Sequence, residues 1–544
     1  MPTATAILHT CTLKLGGSRA PDELHQAIEE VVVEDNLHLP TVMTIVLADP
    51  GIQWIDDPSL AVGTELEVLV AVDDADVRVG IGEIVALELE QRPGTARVVI
   101  QAFDRSHRLH RGRRVRTFQE VSDGDVVSRI ASDAGLQADI DGADARHPYL
   151  IQDNQTDYEF ISQRALLTGM QLVADDKTIH YGPPAGAGAT TIDLAWGEQL
   201  LSFSVRLTAA DQVSEVEVRG WDPGQKKAIT ATVSDSTAAP AIGVQSGDIR
   251  SSAFGSATAL VTDHPVADAS EAEAVARAAL DHVTSGIVRA DGVAFGDPAI
   301  KAGAKVKIGG LGDRLSGTYE VTASTHSVSP GTGYETRFSV RGRRRGTLVE
   351  LTAVGATTDP RRNGPVVGIV TNVKDPNDQG RVKVKFPWLS DDKESTWARL
   401  VSPMAGPGRG LQLVPEVDDE VLVVFERGDP NNPVVLGSMW NGVDASPLGG
   451  DAISGNGSVQ KRVLQTRVGH TILLDDSDSS KSIVITDSAG NKVTWDAANN
   501  KIEVASQGDL TVSATGTLTL KGQAVEVTAN GGNVTVSGTQ VKLN

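Results

Sequence analysis

The 544-residue chain has a single cysteine, Cys11, few aromatic residues (4%) and a shortage of cations that leaves a net charge of −22. One thiol excludes an intramolecular disulfide framework and a cysteine-built zinc site, so Cys11 reads as a small, half-buried strand residue. The deficit of Lys and Arg opposes nucleic acid as the main partner, because phosphate binding draws on a surplus of both. No window approaches the roughly 18 consecutive apolar residues that a membrane helix needs, and stable membrane insertion is not expected. The N-terminus, MPTATAILHTCTLKLGG, lacks the basic start and apolar run of a secretory signal. Assembly in the cytoplasm is therefore the expectation.

Glycine is abundant, at 55 residues, and punctuates short runs rich in Val, Ile and Leu. The expected class is mainly β with a few helices, in several domains. Residues 1–104 alternate apolar and polar positions and read as a barrel-like domain. A brief helical signal, PDELHQAIEEVVVED, has Asp22 and Glu23 in its first turn, but its VVV run argues that a strand follows quickly.

Residues 105–190 read as a mixed α/β insert. Their opening stretch, RSHRLHRGRRVR at 105–116, has no interleaved aromatics. It is expected to be a solvated face or a charge-paired contact with acidic neighbours. His107 and His110 lack a carboxylate or thiol partner at ligand spacing, and no metal is expected there. In DGDVVSRIASDAGL, Val126, Val127, Ile130 and Ala134 share a helix face that Gly135 closes. A second helix has a capping pattern at Thr156 and Glu159, an apolar face of Phe160, Ile161, Ala165 and Leu166, and a stop at Gly169. Asp157 and Glu159 invite an acid–base reading, but the first turn of a capped helix accounts for both. Residues 191–346 read as a second barrel-like domain interrupted by the helix SEAEAVARAALDHV, and 347–363 as a linker.

Residues 364–442 carry short β runs at 366–370, 380–386, 396–401, 411–413, 420–425 and 433–437, separated by the turns DPNDQG, MAGPGRG and RGDPNNP. A small OB barrel requires such strands with Gly and Pro at the corners. Gly380, Gly406, Gly408 and Gly410 are expected to serve barrel turns: they open strands, whereas phosphate-binding glycine loops open helices. Residues 443–460 form a Gly/Ser/Asp-rich connector. In 461–544 apolar pairs recur at 472/474, 483/485, 493/495, 502/504, 510/512, 518/520, 525/527, 534/536 and 541/543, with successive starts 7 to 11 residues apart. A single chain of this kind buries each strand on one side only. Three chains wound about an axis close an apolar core, so a trimeric β-helix or β-prism is expected. His470 lies near its start and is read as structural.

The barrel segments DPNDQGRVKVKFPW, WARLVSPMAGPGRG and PEVDDEVLVVFERGDPNNPVVLGSMWNG resemble the spike barrel of VgrG and of phage baseplate spike proteins. QTDYEFISQRALLTGMQ and the GWDP turn with its trailing lysines are similar to the hub of the phage late-control D and VgrG proteins, and GHTILLDDSDSSKSIVITDSAGNKVTWD resembles the VgrG needle. The resemblance implies a hub fused to a spike and needle in a contractile injection system. It implies a homotrimer that caps the inner tube, meets baseplate proteins, carries effector cargo and reaches the target envelope or exterior on firing.

A phage-tail-like particle is the leading machine, with a type VI secretion VgrG or a phage tail spike as alternatives. No catalytic residue and no cofactor are expected, and the connector is too short to enclose a lysozyme core. A spike-borne glycan hydrolase would need a carboxylate pair in a pocket-forming domain. A glycan-binding fibre would explain the repeat but not the hub motifs. The repeat reaches Val541, Lys542, Leu543 and Asn544 without an HxH metal motif, and the resemblance implies that a PAAR-repeat tip protein sits on these residues.

Overall fold

The computed structural model describes residues 11–72, 75–184, 191–238, 240–251, 254–262, 264–342, 364–390 and 392–542. The expected linker at 347–363 lies outside them. The chain divides into two compact units, Met1–Met439 and Trp440–Asn544.

The first unit is built on an 11-stranded sheet. Its order is Leu200–Leu207, Val288–Phe295, Gly333–Val340, Ala323–Ser329, Ile28–Asn36, Leu39–Ala48, Thr95–Phe103, Ala75–Arg92, Glu65–Val72, Cys11–Leu15 and Ser18–Arg19. Alternation decides which face is buried: Val31, Val33, Met43, Ile45, Val98 and Ile100 point inward and are almost fully covered. The two stretches expected as separate barrels are continuous in this sheet, because Ala323–Ser329 pairs antiparallel with Ile28–Asn36. Each half keeps its own core, one around Ile45 and Ile100, the other around Val306, Tyr319 and Phe338. The helical signal near Asp22 yields a short helix, Asp22–Ala27, that passes directly into the strand Ile28–Asn36.

Between the halves lie the helices Asp123–Asp133 and Asp157–Thr168. Both open with capping boxes, Ser122 with Asp125 and Thr156 with Glu159, each cap contributing about 1 kcal/mol. The second helix ends at Gly169, whose φ of 73° takes the left-handed conformation that glycine adopts without a Cβ penalty. Val126, Ile130, Phe160 and Ile161 from the two helices fill one core with Leu172, Ile179 and Tyr181. The Ala-rich helix Ala269–Ser285 is capped by Asp268 and lays Ala272, Ala276 and Leu280 on Val216 and Val218.

The barrel segment forms a five-stranded sheet in the order Lys383–Lys385, Val366–Asn372, Glu420–Phe425, Pro433–Ser438 and Arg399–Leu400. Val370, Val384, Val421, Val423 and Val435 are fully buried inside it. The second unit holds five antiparallel strands in sequence order: Lys461–Gln465, Thr471–Asp475, Ser482–Thr486, Lys492–Asp496 and Lys501–Ala505. Among the described residues no helix is long and apolar enough to cross a membrane.

Candidate functional site

The basic stretch at 105–116 is knitted into the first unit by carboxylates distant in sequence. Arg105 is nearly buried and holds Asp176, Glu65 at 2.5 Å and Glu83 at 3.5 Å. Glu83 also accepts from Arg108 and meets His107 at 3.3 Å. Burial opposes its ionisation, but the bonds from Arg108 and His107 outweigh it and keep the carboxyl below the usual range. His110 stacks on Tyr158 at 4.1 Å. Among the described residues no group of three or more His, Cys, Asp or Glu is arranged to hold a metal.

Asp157 is buried against Arg116 and accepts from Gln152 at 2.9 Å, while Glu159 accepts the Thr156 N–H at 2.9 Å. The two carboxylates therefore have different partners and different tasks. A cluster that sequence reasoning missed ties the two capped helices together: Arg164 Nε donates to Asp123 at 2.7 Å, and His147 lies 3.4 Å from the same carboxylate. Buried Cys11 has its thiol pushed up to about 12 by burial, which leaves it inert as a nucleophile.

In the barrel, the turn DPNDQG is organised by Asp375. It accepts N–H groups from Asn377 at 3.1 Å, Gln379 at 3.0 Å and Arg381 at 3.2 Å, and the Arg381 guanidinium at 2.7 Å. That guanidinium, with the backbone donors, holds the Asp375 carboxyl far below the usual carboxylate range. Gly380 closes the turn at φ 70°. In the hairpin that follows, Gly408 has φ 63°, and a Cβ on Gly410 would stand 2.6 Å from the Met404 carbonyl oxygen. Gly406 meets the movable Arg409 side chain instead. Around this hairpin Met404, Leu411, Leu413 and Val417 are exposed.

The second unit shows the most conspicuous uncovered surface. Register places Ile472 opposite Ile485, Leu474 opposite Ile483, Ile483 opposite Trp495, Ile485 opposite Val493, and Trp495 opposite Ile502. These side chains share one face of the sheet, yet Ile472 is 39% exposed, Ile483 43% and Ile502 67%. The apolar pairs at 472/474, 483/485, 493/495 and 502/504 thus lie in strands. Residues 506–542 contain no strand, and Leu510, Val512, Leu520 and Val536 are all more than half exposed. The early units, 9 to 11 residues apart, hold a five-residue strand and a return turn. The later units, 7 to 9 residues apart, gain no strand partner within a single chain. His470 bridges two turns of the sheet by accepting the Ser488 N–H on Nδ1 at 3.2 Å. Val541 is half exposed; Leu543 and Asn544 lie outside the described residues.

A cavity of about 600 Å³ opens in the first unit between Asp35, Asp104, Asp139, Asp175, Lys301 and His326. Its inner carboxylates are already engaged. Asp35 accepts the Ala302 N–H at 2.9 Å, and Asp104 accepts the Thr41 and Ser106 N–H groups. Burial raises the affinity of both for a proton.

Residues 6–330, more than half of the chain, match the family described as the Alg8 N-terminal domain. Residues 366–440 match the type VI secretion system/phage-baseplate injector OB domain. The type VI secretion system spike protein VgrG3 of Vibrio cholerae is 33% identical over 96 residues, 16% of this chain and 9% of that protein. The fold is shared with an E. coli type VI secretion component at TM-score 0.51 and 14% identity, covering 78% of this chain and 99% of the other; that protein is described as structurally similar to T4 tail proteins gp27 and gp5. It is also shared with a half-lidded PdpA–VgrG complex of Francisella, at TM-score 0.52 and 10% identity, over 91% of this chain and 88% of the other. Over residues 6–330 the chain therefore belongs to the family of the Alg8 N-terminal domain, an injector OB domain follows it in sequence, and part of the chain is similar to VgrG spike proteins.

Proposed function

We propose that the chain is the central spike of a contractile, phage-tail-like injection particle; the alternative readings are a type VI secretion VgrG or a phage tail spike. Three copies form a hub that caps the inner tube and meets the baseplate, and their barrels and needles continue as the point that sheath contraction drives into a target envelope. The observation that carries this reading is the apolar face of the sheet 461–505, left uncovered by its own chain behind an injector OB domain. Soluble monomers rarely leave such a face in water, and copies of the same chain related by symmetry cover it with matching surfaces.

On this reading the domains divide at 1–104, 105–190, 191–346, 347–363, 364–442, 443–460 and 461–544. The protein assembles in the cytoplasm within a particle and meets the exterior on firing. A PAAR-repeat tip protein contacts Val541, Lys542, Leu543 and Asn544, and effector cargo rides on the spike. The work is mechanical and uses no covalent chemistry. Electron microscopy of particles purified from producing cells tests the proposal. Density for this chain is expected at the tip end of the inner tube, and deletion of its gene should leave no complete sheathed particles. Complete particles assembled without the chain would overturn it.

A further inference from the structure

We propose that the barrel is seated on the hub by a two-point polar clamp along one edge of the strand Arg146–Gln155, and that Asn431 is the residue that positions it. This strand pairs with Arg114–Ser122 in a two-stranded sheet, so its second edge presents backbone groups that the sheet does not use. That edge is not left to water: Tyr149, Leu150, Ile151 and Gln152 are all buried. A buried N–H without a partner is costly and rare in native proteins, and here the barrel supplies the partner. Ile151 donates its N–H to Asn431 Oδ1 at 2.9 Å, across 280 residues of sequence, and the Tyr149 hydroxyl donates to the Glu394 carbonyl oxygen at 3.0 Å.

Both barrel groups are fixed before they meet the hub. Asp429 accepts the Asn431 N–H at 3.0 Å and its Nδ2 at 2.7 Å, which turns Oδ1 toward Ile151. The Glu394 side chain is held by Lys383 at 2.6 Å and by Thr371 at 3.1 Å. The barrel follows the second half of the hub in sequence, yet it docks on the helical insert. A chain joined to one part of the hub and clamped to another has its direction set, as a point loaded along its axis requires. This mechanical consequence rests on the spike reading. The seat itself is a property of the isolated chain, so its test can fail without touching that reading.

Amide hydrogen exchange on the purified full chain tests the clamp. Asn431→Leu removes the acceptor, and the segment containing Ile151 should exchange at least about tenfold faster while the barrel strands keep their protection. Asn431→Asp keeps an acceptor oxygen but loses the donor to Asp429. It sets a second carboxylate against Asp429, so the bond that turns Oδ1 toward Ile151 is lost and protection at Ile151 should fall as in Asn431→Leu, although an acceptor oxygen is still present. Asn377→Leu, in the sister DPN turn, should leave Ile151 as in the natural chain. Unchanged exchange at Ile151 in Asn431→Leu would overturn the proposal. If that variant fails to fold, Tyr149→Phe is read through spin labels at Lys177 on the hub and Lys374 on the barrel. A broadened distance distribution is expected, and an unchanged width would overturn the clamp.

Discussion

His326 is 3% exposed on the strand that joins the two halves of the 11-stranded sheet. Its Nδ1 lies 2.9 Å from the Tyr334 hydroxyl and 3.2 Å from Thr336 Oγ1. Burial pushes the imidazole down to about 4. In the unfolded chain the ring titrates near its ordinary value of about 6.5, so acid favours unfolding through this group. Its contribution is intact above about pH 6.5 and is lost progressively toward about pH 4, amounting to about 3 kcal/mol. His326→Gln removes that titration. Urea midpoints at about pH 7 and about pH 5 should differ less in the variant than in the natural chain, and equal pH slopes would contradict the assignment. Glycine geometry gives a second prediction at this scale. Gly410→Ala forces a Cβ to 2.6 Å from the Met404 oxygen and should destabilise the barrel by about 1 to 3 kcal/mol. Gly380→Ala, at φ 70°, should cost about 1 kcal/mol. Gly406→Ala should cost least, since the Arg409 side chain can move. Denaturation midpoints rank the three, and a Gly406 variant weaker than the Gly410 variant would refute the ordering.

Among the elements, the apolar face of the sheet 461–505 carries the clearest expectation. Ile483 sits between Leu474 and Trp495 on that face, so Ile483→Asp places a charge where copies of the chain would meet. The variant should stay folded in its first unit but dissociate, read as a lower mass by light scattering; an unchanged mass would place the interface elsewhere. What was legible in the sequence divides by the range of the interaction. The helices at 123–133 and 157–168 were readable because their apolar spacing, and for the second the cap at Thr156 and the stop at Gly169, are local, although the Ser122 cap was not foreseen and Leu166, expected on the apolar face, is exposed. Most of the barrel was readable because its strands and turns follow in immediate succession, although 411–413, expected as a β run, lies in no strand. The partners of Arg105 were not, since Glu65 and Asp176 reach it from opposite directions along the chain. Nor was the pairing of 323–329 with 28–36, because alternation names the buried face of a strand but not its neighbour. The repeat after 505 was visible as a pattern, yet its strands need an edge to pair with, and a lone chain does not supply one.

For the whole molecule, the proposed spike reading makes the chain one third of a trimer, in which the 11-stranded sheet, the injector OB domain and the one-sided apolar sheet each have a part. On that reading, further copies of the chain cover both the apolar face of the second unit and the exposed hairpin side chains of the barrel, Met404, Leu411 and Leu413. The mass of the full-length protein in solution tests this most directly. At micromolar concentration it should be three times the chain mass and remain so on dilution, and a stable, monodisperse monomer would contradict the spike assignment.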